Sequence, residues 1–353
     1  MSTSATRQSQ PQPSVANPIT SKGIVSGTTR IGWIGTGVMG NSMLQHVMRA
    51  LINTDNEKNP SSVPFPTYVY TRTAEKAQPA VSAGAVLCNS VADVARNSDI
   101  VFTMLGYPSD VRQVYYGDAE HPGLLQSIGG GGILVDMTTS EPSLAQQIAS
   151  DASKLNIYTM DAPVSGGDVG AKEAKLSIMI GGEQSVMYSV LPLFQSMGKN
   201  ITYCGVSGHG QHTKMMNQIL IANNMIGICE GLLYAYKSGL DLSTAIQAVS
   251  TGAAGSWSIS NLGPRIVQRN FDPGFYVDHF VKDMGIALNE AARMKLSLPG
   301  LSLARQLYIA LQAQGDGLRG TQALILAFER INGLNIPMDK PMITDIYAKQ
   351  QQQ

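Results

Sequence analysis

The sequence predicts an α/β protein in which an N-terminal, doubly wound sheet is followed by an all-helical domain, and three observations lead to this prediction. The chain has 353 residues, which indicates two domains because a usual domain has roughly 150 residues. Between residues 30 and 180, short β-rich runs alternate with helical stretches, as in βαβ units with a largely parallel sheet. Beyond Gly210 the apolar spacing is helical only.

The candidate strands are apolar without strict alternation, which indicates that both faces of the sheet are buried. They span residues 30–34, 67–71, 100–104, 133–136, 157–161 and 176–181. Helices are expected at 41–51, 211–238, 242–249, 280–295, 301–314 and 320–331. These elements assign residues 29–207 to the sheet domain, 208–335 to the helical domain and 336–353 to a C-terminal tail.

Two segments have the composition of irregular structure. Residues 1–28 are rich in Ser, Thr, Gln and Pro and contain no acidic residue, so they are expected to form a disordered tail or a weak transit peptide. Residues 53–66 are polar and rich in Pro, which predicts an inserted loop between the first helix and the second strand. We therefore expect a soluble protein of the cytoplasm, with the mitochondrial matrix as the alternative.

Charge and hydropathy exclude several classes of function. The chain has 25 basic and 25 acidic residues and a net charge of zero, without a long run of like charge. We therefore expect it to bind neither nucleic acid nor a membrane surface. The most apolar segment, 219–236, is interrupted by Asn223, Asn224 and Glu230, and no membrane span is expected.

The cysteines and histidines predict no metal site. Cys88, Cys204 and Cys229 have no CxxC spacing, so they form neither a disulfide framework nor a zinc motif. Such cysteine usage fits a reducing compartment. His209 and His212 are three residues apart, as in some metal pairs, but no further ligand accompanies them.

A glycine-rich turn follows the first predicted strand and opens a helix. Its residues are Gly35, Thr36, Gly37, Val38, Met39 and Gly40. In a Rossmann turn the first glycine allows a tight bend, the second lets the backbone approach a pyrophosphate, and the third lets helix and strand pack closely. A lone pattern of this kind is weak, and a purely structural turn is the alternative. Its position between a strand and a helix favours a dinucleotide site.

The end of the second predicted strand distinguishes NADP from NAD. NAD enzymes usually place a carboxylate there, whereas NADP enzymes place an arginine near the 2′-phosphate. This chain has Thr71, Arg72 and Thr73, with Lys76 close behind and no acid. A guanidinium flanked by hydroxyls suits a phosphate. The sequence therefore predicts NADP, with NAD and a merely solvated Arg72 as the alternatives.

A second candidate anion site follows the fifth predicted strand. Ser165, Gly166 and Gly167 come soon after Asp161 and Pro163 and precede a short helical stretch. Consecutive amides without large side chains can form a concave donor site for a carboxylate, and the hydroxyl of Ser165 adds a donor. The alternative is an ordinary turn.

The first helix of the second domain carries a polar face. Lys214, Asn217 and Gln218 lie at i, i+3 and i+4 and share one side. A lysine in the first turn of a helix lies at the positive end of the helix dipole, which eases proton release and suits proton transfer. A surface lysine on an amphipathic helix is the alternative.

The rest of this helix and one later position complete the candidate site. Met215, Ile219, Leu220 and Ile226 are expected to be buried, which would place the polar face at the domain boundary. Lys282, at the start of a later helix, is a further candidate for a cofactor contact, and the adjacent Asp283 has a ready structural role near that helix N-terminus.

Taken in this order, the motifs resemble those of the β-hydroxyacid dehydrogenase family, and above all its plant-type 3-hydroxyisobutyrate dehydrogenase-like members. Residues 34–40 match the cofactor turn, 161–167 the substrate motif, 208–218 the catalytic helix, and 282–283 the C-terminal cofactor contact. The resemblance implies a catalytic Lys214, a substrate-orienting Asn217, a carboxylate site at Ser165, Gly166 and Gly167, and cofactor contacts at Met104, Leu105, Thr139 and Lys282.

The family resemblance also predicts the reaction. It implies hydride transfer between NAD(P) and a short β-hydroxy acid or semialdehyde, with 3-hydroxyisobutyrate first, and we expect a homo-oligomer, either a dimer or a tetramer. Glyoxylate or succinic semialdehyde reduction and a non-catalytic NADP-binding scaffold are the alternatives. The sequence departs from the family pattern in two places: Ala174 and Lys175 replace a common Gly-Thr pair, and the 53–66 insertion has no usual counterpart.

Overall fold

The computed structural model describes residues 23–50, 64–334 and 336. Nine strands form one sheet: β1 (Ile31–Ile34), β2 (Thr67–Tyr70), β3 (Val86–Leu87), β4 (Ile100–Thr103), β5 (Ile133–Asp136), β6 (Tyr158–Asp161), β7 (Val164–Ser165), β8 (Leu176–Gly182) and β9 (Gly198–Gly205). Most of the predicted 53–66 loop, the tail at 1–22 and the tail beyond 336 lie outside the described residues.

The strand order is β3-β2-β1-β4-β5-β6-β8, and β7 and β9 both pair with β8. Strands β1 to β6 are parallel in this order, whereas β8 runs antiparallel to β6 and β7. The order reverses at β1, so that the chain crosses to β2 on one side and to β4 on the other. In doubly wound sheets, ligands bind beyond the carboxyl ends of the strands at this switch point.

Helices cover both faces of the sheet. They are α1 (Val38–Arg49), α2 (Gln78–Ser82), α3 (Val91–Arg96), α4 (Pro108–Tyr116), α5 (Leu124–Ser127), α6 (Pro142–Lys154), α7 (Gly167–Lys172) and α8 (Gln184–Met197), with a 3₁₀ turn at Ala74–Ala77. The apolar core on one face contains Trp33 stacked on Phe102 with ring centroids 5.4 Å apart, and Phe194 meets Phe102 edge-on. Central strands β1, β4 and β5 are buried along their whole length, as the apolar pattern predicted.

The C-terminal part is helical. It contains α9 (His209–Lys237), α10 (Leu242–Ser250), α11 (Trp257–Val267), α12 (Val277–Arg293), α13 (Pro299–Ala313) and α14 (Leu324–Ile331), with a 3₁₀ turn at Thr321–Ala323. Its core includes Cys229 of α9, Phe280 of α12 and Tyr308 of α13. The expected order of a sheet part and then a helical part is confirmed.

Helix α9 corrects one expectation. By length and composition it is apolar enough to cross a membrane, although the sequence reading expected no such segment. Asn223, Asn224 and Glu230 do not lower the mean hydropathy of this helix below the level of membrane-spanning helices. Here Ala222, Met225 and Cys229 are fully buried in the helical core, which accounts for the apolar character of that side of the helix.

Candidate active site

A large cavity of about 1670 Å³ lies between the carboxyl ends of the strands and the helical part. Every residue that the sequence reading proposed for the site lines it. These are Gly35, Thr36, Gly37, Val38, Met39, Gly40, Thr71, Arg72, Thr73, Met104, Leu105, Thr139, Ser165, Gly166, Gly167, Lys214, Asn217 and Lys282. Residues separated by up to 247 positions in the chain, from Gly35 to Lys282, therefore face one space.

The glycine turn has three different steric environments. Gly35 has φ +95°, and a Cβ there would collide with the carbonyl oxygen of Met104. A Cβ at Gly40 would collide with the carbonyl oxygen of Gly35. At Gly37 a Cβ would meet no atom within 4 Å, so this backbone faces open cavity. Helix α1 begins directly afterwards at Val38, three residues earlier than expected, and its first unpaired amides lie at the turn.

Arg72 lies just beyond β2, and its side chain is 78% exposed. It forms an ion pair with Asp110 of α4, with Nη1 and Oδ1 3.0 Å apart. Asp110 also accepts a hydrogen bond from the amide of Tyr107. The sequence reading did not foresee this acidic partner, which is 38 residues away in the chain. Arg72 and Lys76 both line the cavity, so cationic groups flank this end of it.

The turn after β6 is more ordered than the sequence suggested, because Val164 and Ser165 form strand β7 against β8. Gly166 and Gly167 follow with φ of +137° and +64°, a region that favours glycine. A Cβ at Gly167 would lie 3.1 Å from the carbonyl oxygen of Gly274, so this turn contacts the helical part of the chain directly. Helix α7 begins at Gly167.

Lys214 is 6% exposed and projects into the cavity. None of the residues that the structure describes forms an ion pair or a hydrogen bond with its Nζ. Burial lowers the pKa of Lys214 from 10.5 to about 8; Asp283 opposes this shift and Lys282 adds to it. The expected cause was the helix dipole, but α9 begins at His209, which places Lys214 in the second turn where the dipole effect fades. Desolvation is therefore the main cause.

A chain of side-chain contacts surrounds Lys214. Asn217 Nδ2 donates to Gln218 Oε1 at 2.7 Å, and Gln218 Nε2 donates to Asp283 Oδ2 at 2.6 Å. The other oxygen of Asp283 lies 3.0 Å from Lys282 Nζ. Asp283 is 1% exposed, so its contacts form in a poorly solvated environment. Gln218 thus links Asn217 to the carboxylate that contacts Lys282.

Lys282 connects the two parts of the chain. Its Nζ donates to the carbonyl oxygens of Thr139 at 2.9 Å and Gly106 at 3.1 Å, in the loops that follow β5 and β4. The ammonium also lies 5.9 Å from the ring centroid of Tyr107. The helical part is therefore fastened to the loops at the carboxyl ends of the central strands.

The sequence reading missed one wall of the cavity, which α11, the loop after it and the first turn of α12 provide. Trp257, Asn261 and Arg265 lie one helical turn apart on α11 and line the cavity together with Tyr276 and His279. Burial and the neighbouring Lys282 lower the pKa of His279. The i, i+4, i+8 spacing on α11 was a usable signal, but Gly263 and Pro264 concealed the helix.

One burial prediction on α9 was wrong. Met215 is buried, and Ile219 and Ile226 are partly buried, but Leu220 is 55% exposed and lines the cavity. Leucine at this position thus gives the cavity an apolar surface close to Asn217. In the described part of the chain, no group of three or more His, Cys, Asp or Glu side chains is arranged to hold a metal ion.

Comparison with known proteins identifies the family. Residues 30–205 match the family model for the NAD-binding domain of 6-phosphogluconate dehydrogenase. Residues 208–328 match the model described as NAD-binding of NADP-dependent 3-hydroxyisobutyrate dehydrogenase. A probable mitochondrial 3-hydroxyisobutyrate dehydrogenase-like protein from Arabidopsis thaliana is 51% identical over 91% of both chains.

The chain belongs to the β-hydroxyacid dehydrogenase family. Within this family, the 2-hydroxy-3-oxopropionate reductase of Escherichia coli is 34% identical over 85% of this chain and 97% of the relative. A Mycobacterium tuberculosis 3-hydroxyisobutyrate dehydrogenase solved with L-serine has a TM-score of 0.74 and 25% identity, covering 85% of this chain and 99% of that one. As a member of the β-hydroxyacid dehydrogenase family, the protein is a nicotinamide-dependent oxidoreductase of hydroxy acids.

Proposed function

We propose that this chain catalyses the reversible, NADP-dependent oxidation of a short β-hydroxy acid to its semialdehyde, with 3-hydroxyisobutyrate as the first substrate to test. The observation that carries the proposal is Lys214. It is a buried amine, without an ion-pair partner in the described residues, in the cavity that the glycine turn and the Ser165 turn also line. A proton-transfer group works best when its pKa lies near the working pH.

The bound cofactor would accept or supply the hydride at its nicotinamide ring. The residues for holding it are the glycine turn at its pyrophosphate and Met104, Leu105, Thr139 and Lys282 at the loops after β4 and β5. Open backbone at Gly37 and the N-terminus of α1 give amide donors for phosphate oxygens.

The side chains of the second half of the cavity would bind the acid and move its proton. Ser165 and the amides of Gly166 and Gly167 would bind the carboxylate, and Asn217 would orient the hydroxyl-bearing carbon. In oxidation, neutral Lys214 accepts the hydroxyl proton at Nζ as the carbon–oxygen double bond forms. In reduction, protonated Lys214 returns this proton to the aldehyde oxygen. Positioning of this kind supplies several kcal/mol of the barrier reduction.

Lys214→Ala tests the assignment. We expect turnover to fall by at least about 100-fold, the lower range for general acid–base groups, while the Kd for NADP measured by fluorescence titration changes little. Lys237→Ala, at the exposed far end of α9, is the control. If the Lys214 variant is as active as the Lys237 variant, Lys214 is not the proton-transfer group.

The choice of NADP rests on the end of β2. Thr71, Arg72 and Thr73 line the cavity there without an acidic residue among them, and a family model that matches the chain is named for an NADP-dependent enzyme. We expect Arg72→Ala to raise KM for NADPH about tenfold or more, consistent with loss of a charge-assisted hydrogen bond. KM for NADH should stay nearly constant. Equal changes for both cofactors, or a wild-type preference for NADH, would contradict the choice.

The substrate is decided by a panel assayed in both directions. It contains 3-hydroxyisobutyrate, glyoxylate, succinic semialdehyde and 2-hydroxy-3-oxopropionate, the last because a relative is named for its reduction. Highest kcat/KM for 3-hydroxyisobutyrate supports the proposal, and highest kcat/KM for glyoxylate or succinic semialdehyde supports the reductase alternative. Cofactor binding without turnover of any member would support the scaffold alternative.

The assembly and the compartment are part of the proposal. A homo-oligomer is supported by α9, where Met216 and Tyr234 are 63% and 76% exposed. A Cβ at Gly227 or Gly231 of the same helix would meet no atom within 4 Å. Light scattering after gel filtration tests for a dimer or tetramer, and a monomeric mass at micromolar concentration would oppose it.

We propose the cytoplasm as the compartment. The mitochondrial matrix is the alternative, because three Arabidopsis relatives carry the word mitochondrial in their names. Imaging of a fluorescent fusion of the full chain, compared with a variant that lacks residues 1–28, distinguishes the two compartments. Mitochondrial signal that depends on these residues would favour the matrix.

A further inference from the structure

Gln211 lies in the first turn of α9 and is completely buried. Both polar atoms of its side chain are used. Its Oε1 accepts a hydrogen bond from the amide of Ser140 at 2.9 Å, and its Nε2 donates to the carbonyl oxygen of Thr138 at 2.7 Å. The side-chain amide therefore makes the two hydrogen bonds with the loop between β5 and α6 that a backbone segment would otherwise make.

The loop that Gln211 holds contributes to the cofactor side of the cavity. The hydroxyl of Thr138 accepts from the amide of Leu105 at 2.8 Å, and the carbonyl oxygen of Thr139 accepts from Lys282. Leu105, Thr139 and Lys282 all line the cavity. Gln211 thus contacts a segment that contains Thr139 and makes hydrogen bonds to both Leu105 and Lys282.

The same helical turn is fixed from the other side by Asp161 at the end of β6. Asp161 Oδ1 accepts from the amide of Gly208 at 2.7 Å, and Oδ2 accepts from the amide of Gln211 at 2.8 Å. A Cβ on Gly210 would lie 2.5 Å from the carbonyl oxygen of Met179, so the helix start is pressed against the sheet. The side chain of Gln211 therefore projects from a backbone with little freedom to move.

Lys214 is three residues beyond Gln211, one turn further along α9. We propose that Gln211 is a positioning residue that sets the distance between Lys214 and the cofactor loop after β5. Its amide is the direct link between that loop and the helix that carries the lysine. The inference rests on the proposed function, because it requires Lys214 to move a proton at the nicotinamide side of the cavity. A displacement of about 1 Å at such a site costs roughly 100-fold in rate.

Two substitutions separate positioning from simple stabilisation. Gln211→Met keeps the length of the side chain and removes both hydrogen bonds. Gln211→Glu keeps the acceptor for Ser140 and, when ionised, places an oxygen against the carbonyl of Thr138. When protonated, its O–H can donate to that carbonyl and restore the missing bond. Thr213→Ala is the control. This substitution removes the hydrogen bond from the Thr213 hydroxyl to the carbonyl oxygen of His209 in the same turn, and Thr213 does not contact the loop.

The expected results concern kcat more than binding. At saturating acid and cofactor, kcat of Gln211→Met should fall about 100-fold per mole of folded protein, whereas the Kd for NADP and the KM for the acid change less than about fivefold. The rate of Gln211→Glu in the reductive direction, divided by the wild-type rate at each pH, should rise as the pH falls from 8 to 6. Dividing by the wild-type rate removes the contributions of the ionisable groups that both proteins share near residue 211, namely Asp136, Asp161 and His209.

Other outcomes would overturn the inference. If kcat of Gln211→Met lies within threefold of that of Thr213→Ala, Gln211 does not position Lys214. If Gln211→Met fails to fold, the pH dependence of Gln211→Glu decides, and a ratio to wild type that is constant between pH 8 and 6 is a negative result. A lower melting temperature of Gln211→Met with an unchanged kcat indicates that Gln211 has a structural role only. Absence of wild-type turnover on every acid would instead refute the proposed function.

Discussion

At the scale of single residues, Lys214 is an amine withdrawn from water, and no carboxylate in the described part of the chain forms an ion pair with it. Burial lowers its pKa to about 8, so a substantial fraction of the side chain is neutral near physiological pH. Asp283 raises the pKa of Lys214, but its carboxylate already accepts a hydrogen bond from Gln218 and forms an ion pair with Lys282. This combination suits the proton transfer that we propose for Lys214.

The pH dependence of the rate should report this pKa. Oxidation needs neutral Lys214, so kcat for the hydroxy acid should rise with pH and level off above about 8. Reduction needs the protonated form and should decline above the same pH. Initial rates in both directions from pH 6 to 10 provide the measurement. Two profiles that bend in the same direction would exclude Lys214 as the proton-transfer group.

Folding stability should depend on Lys214 as well. Because its pKa is lowered in the folded state, the unfolded chain binds more protons between about pH 8 and 10.5, and the contribution of Lys214 to stability rises with pH in this window. At pH 7 we expect Lys214→Met to be more stable than wild type by about 2–3 kcal/mol. The gain should shrink toward pH 10. Urea unfolding at pH 7, 8.5 and 10 measures it, and a pH-independent difference would contradict the expectation.

The residue types of the site could be read from the sequence because each lies in a motif with a local pattern. Gly35, Lys214 and Lys282 all line the cavity, as expected. What the sequence could not reveal are partners brought together from distant segments. Asp110 beside Arg72 and Asp283 beside Gln218 are separated in the chain by 38 and 65 residues.

At the scale of the elements, the turn between α7 and β8 contains one departure from the family pattern and places it in a strained conformation. Ala174 has φ +54°, in the left-handed region where glycine has no steric cost. A glycine at this position would adopt the same geometry without strain. We expect Ala174→Gly to raise the free energy of unfolding by about 1 kcal/mol. Chemical denaturation measures the change, and a loss of stability would show that the methyl group contributes packing that outweighs the strain.

The start of α9 should tolerate no added side chain. A Cβ on Gly210 would lie 2.5 Å from the carbonyl oxygen of Met179 and 2.6 Å from that of Asp161, both backbone atoms. Gly210→Ala should therefore displace the helix, reduce stability by roughly 1–3 kcal/mol and lower kcat. Gly239→Ala is not a suitable control because of its positive φ, whereas Gly129→Ala adds a methyl group where no atom lies within 4 Å. Equal effects of Gly210→Ala and Gly129→Ala would argue against a tight fit.

The long, apolar elements were predictable and the short or partly exposed ones were not. Strands β1, β4 and β5 were placed within one residue of their observed ends. Strand β3 has two exposed residues, and β9 is mostly exposed or half-buried, so neither has a distinct apolar pattern. The partners that define these strands come from elsewhere in the sheet.

At the scale of the whole molecule, the sheet part and the helical part both line the cavity, and a ligand that fills it contacts both. The glycine turn belongs to the sheet, and Lys282 and Asn217 belong to the helices. Binding energy from the cofactor should therefore stabilise the relative position of the two parts, in addition to each part alone.

Thermal unfolding with cofactor tests this expectation. At a concentration 100 times Kd, a ligand that binds only the folded state adds about 2.7 kcal/mol. We expect the melting temperature of wild type to rise by several degrees with NADP, and the rise for Arg72→Ala to be smaller. Differential scanning fluorimetry with NADP and NAD provides the measurement. No shift with millimolar concentrations of either cofactor would oppose a nicotinamide site in this cavity.

The parallel register of β1 and β2 also has a practical consequence. Ile31 pairs with Thr67 at the amino ends of the two strands, whereas Gly35 and Thr71 lie just beyond the opposite ends. Pro64 shortly precedes the amino end of β2, which is the end away from the cavity. An affinity tag or a fluorescent reporter inserted directly before Pro64 would join the described part of the chain at the end of β2 opposite the cofactor. Immobilised or labelled enzyme made in this way should keep its kinetic constants.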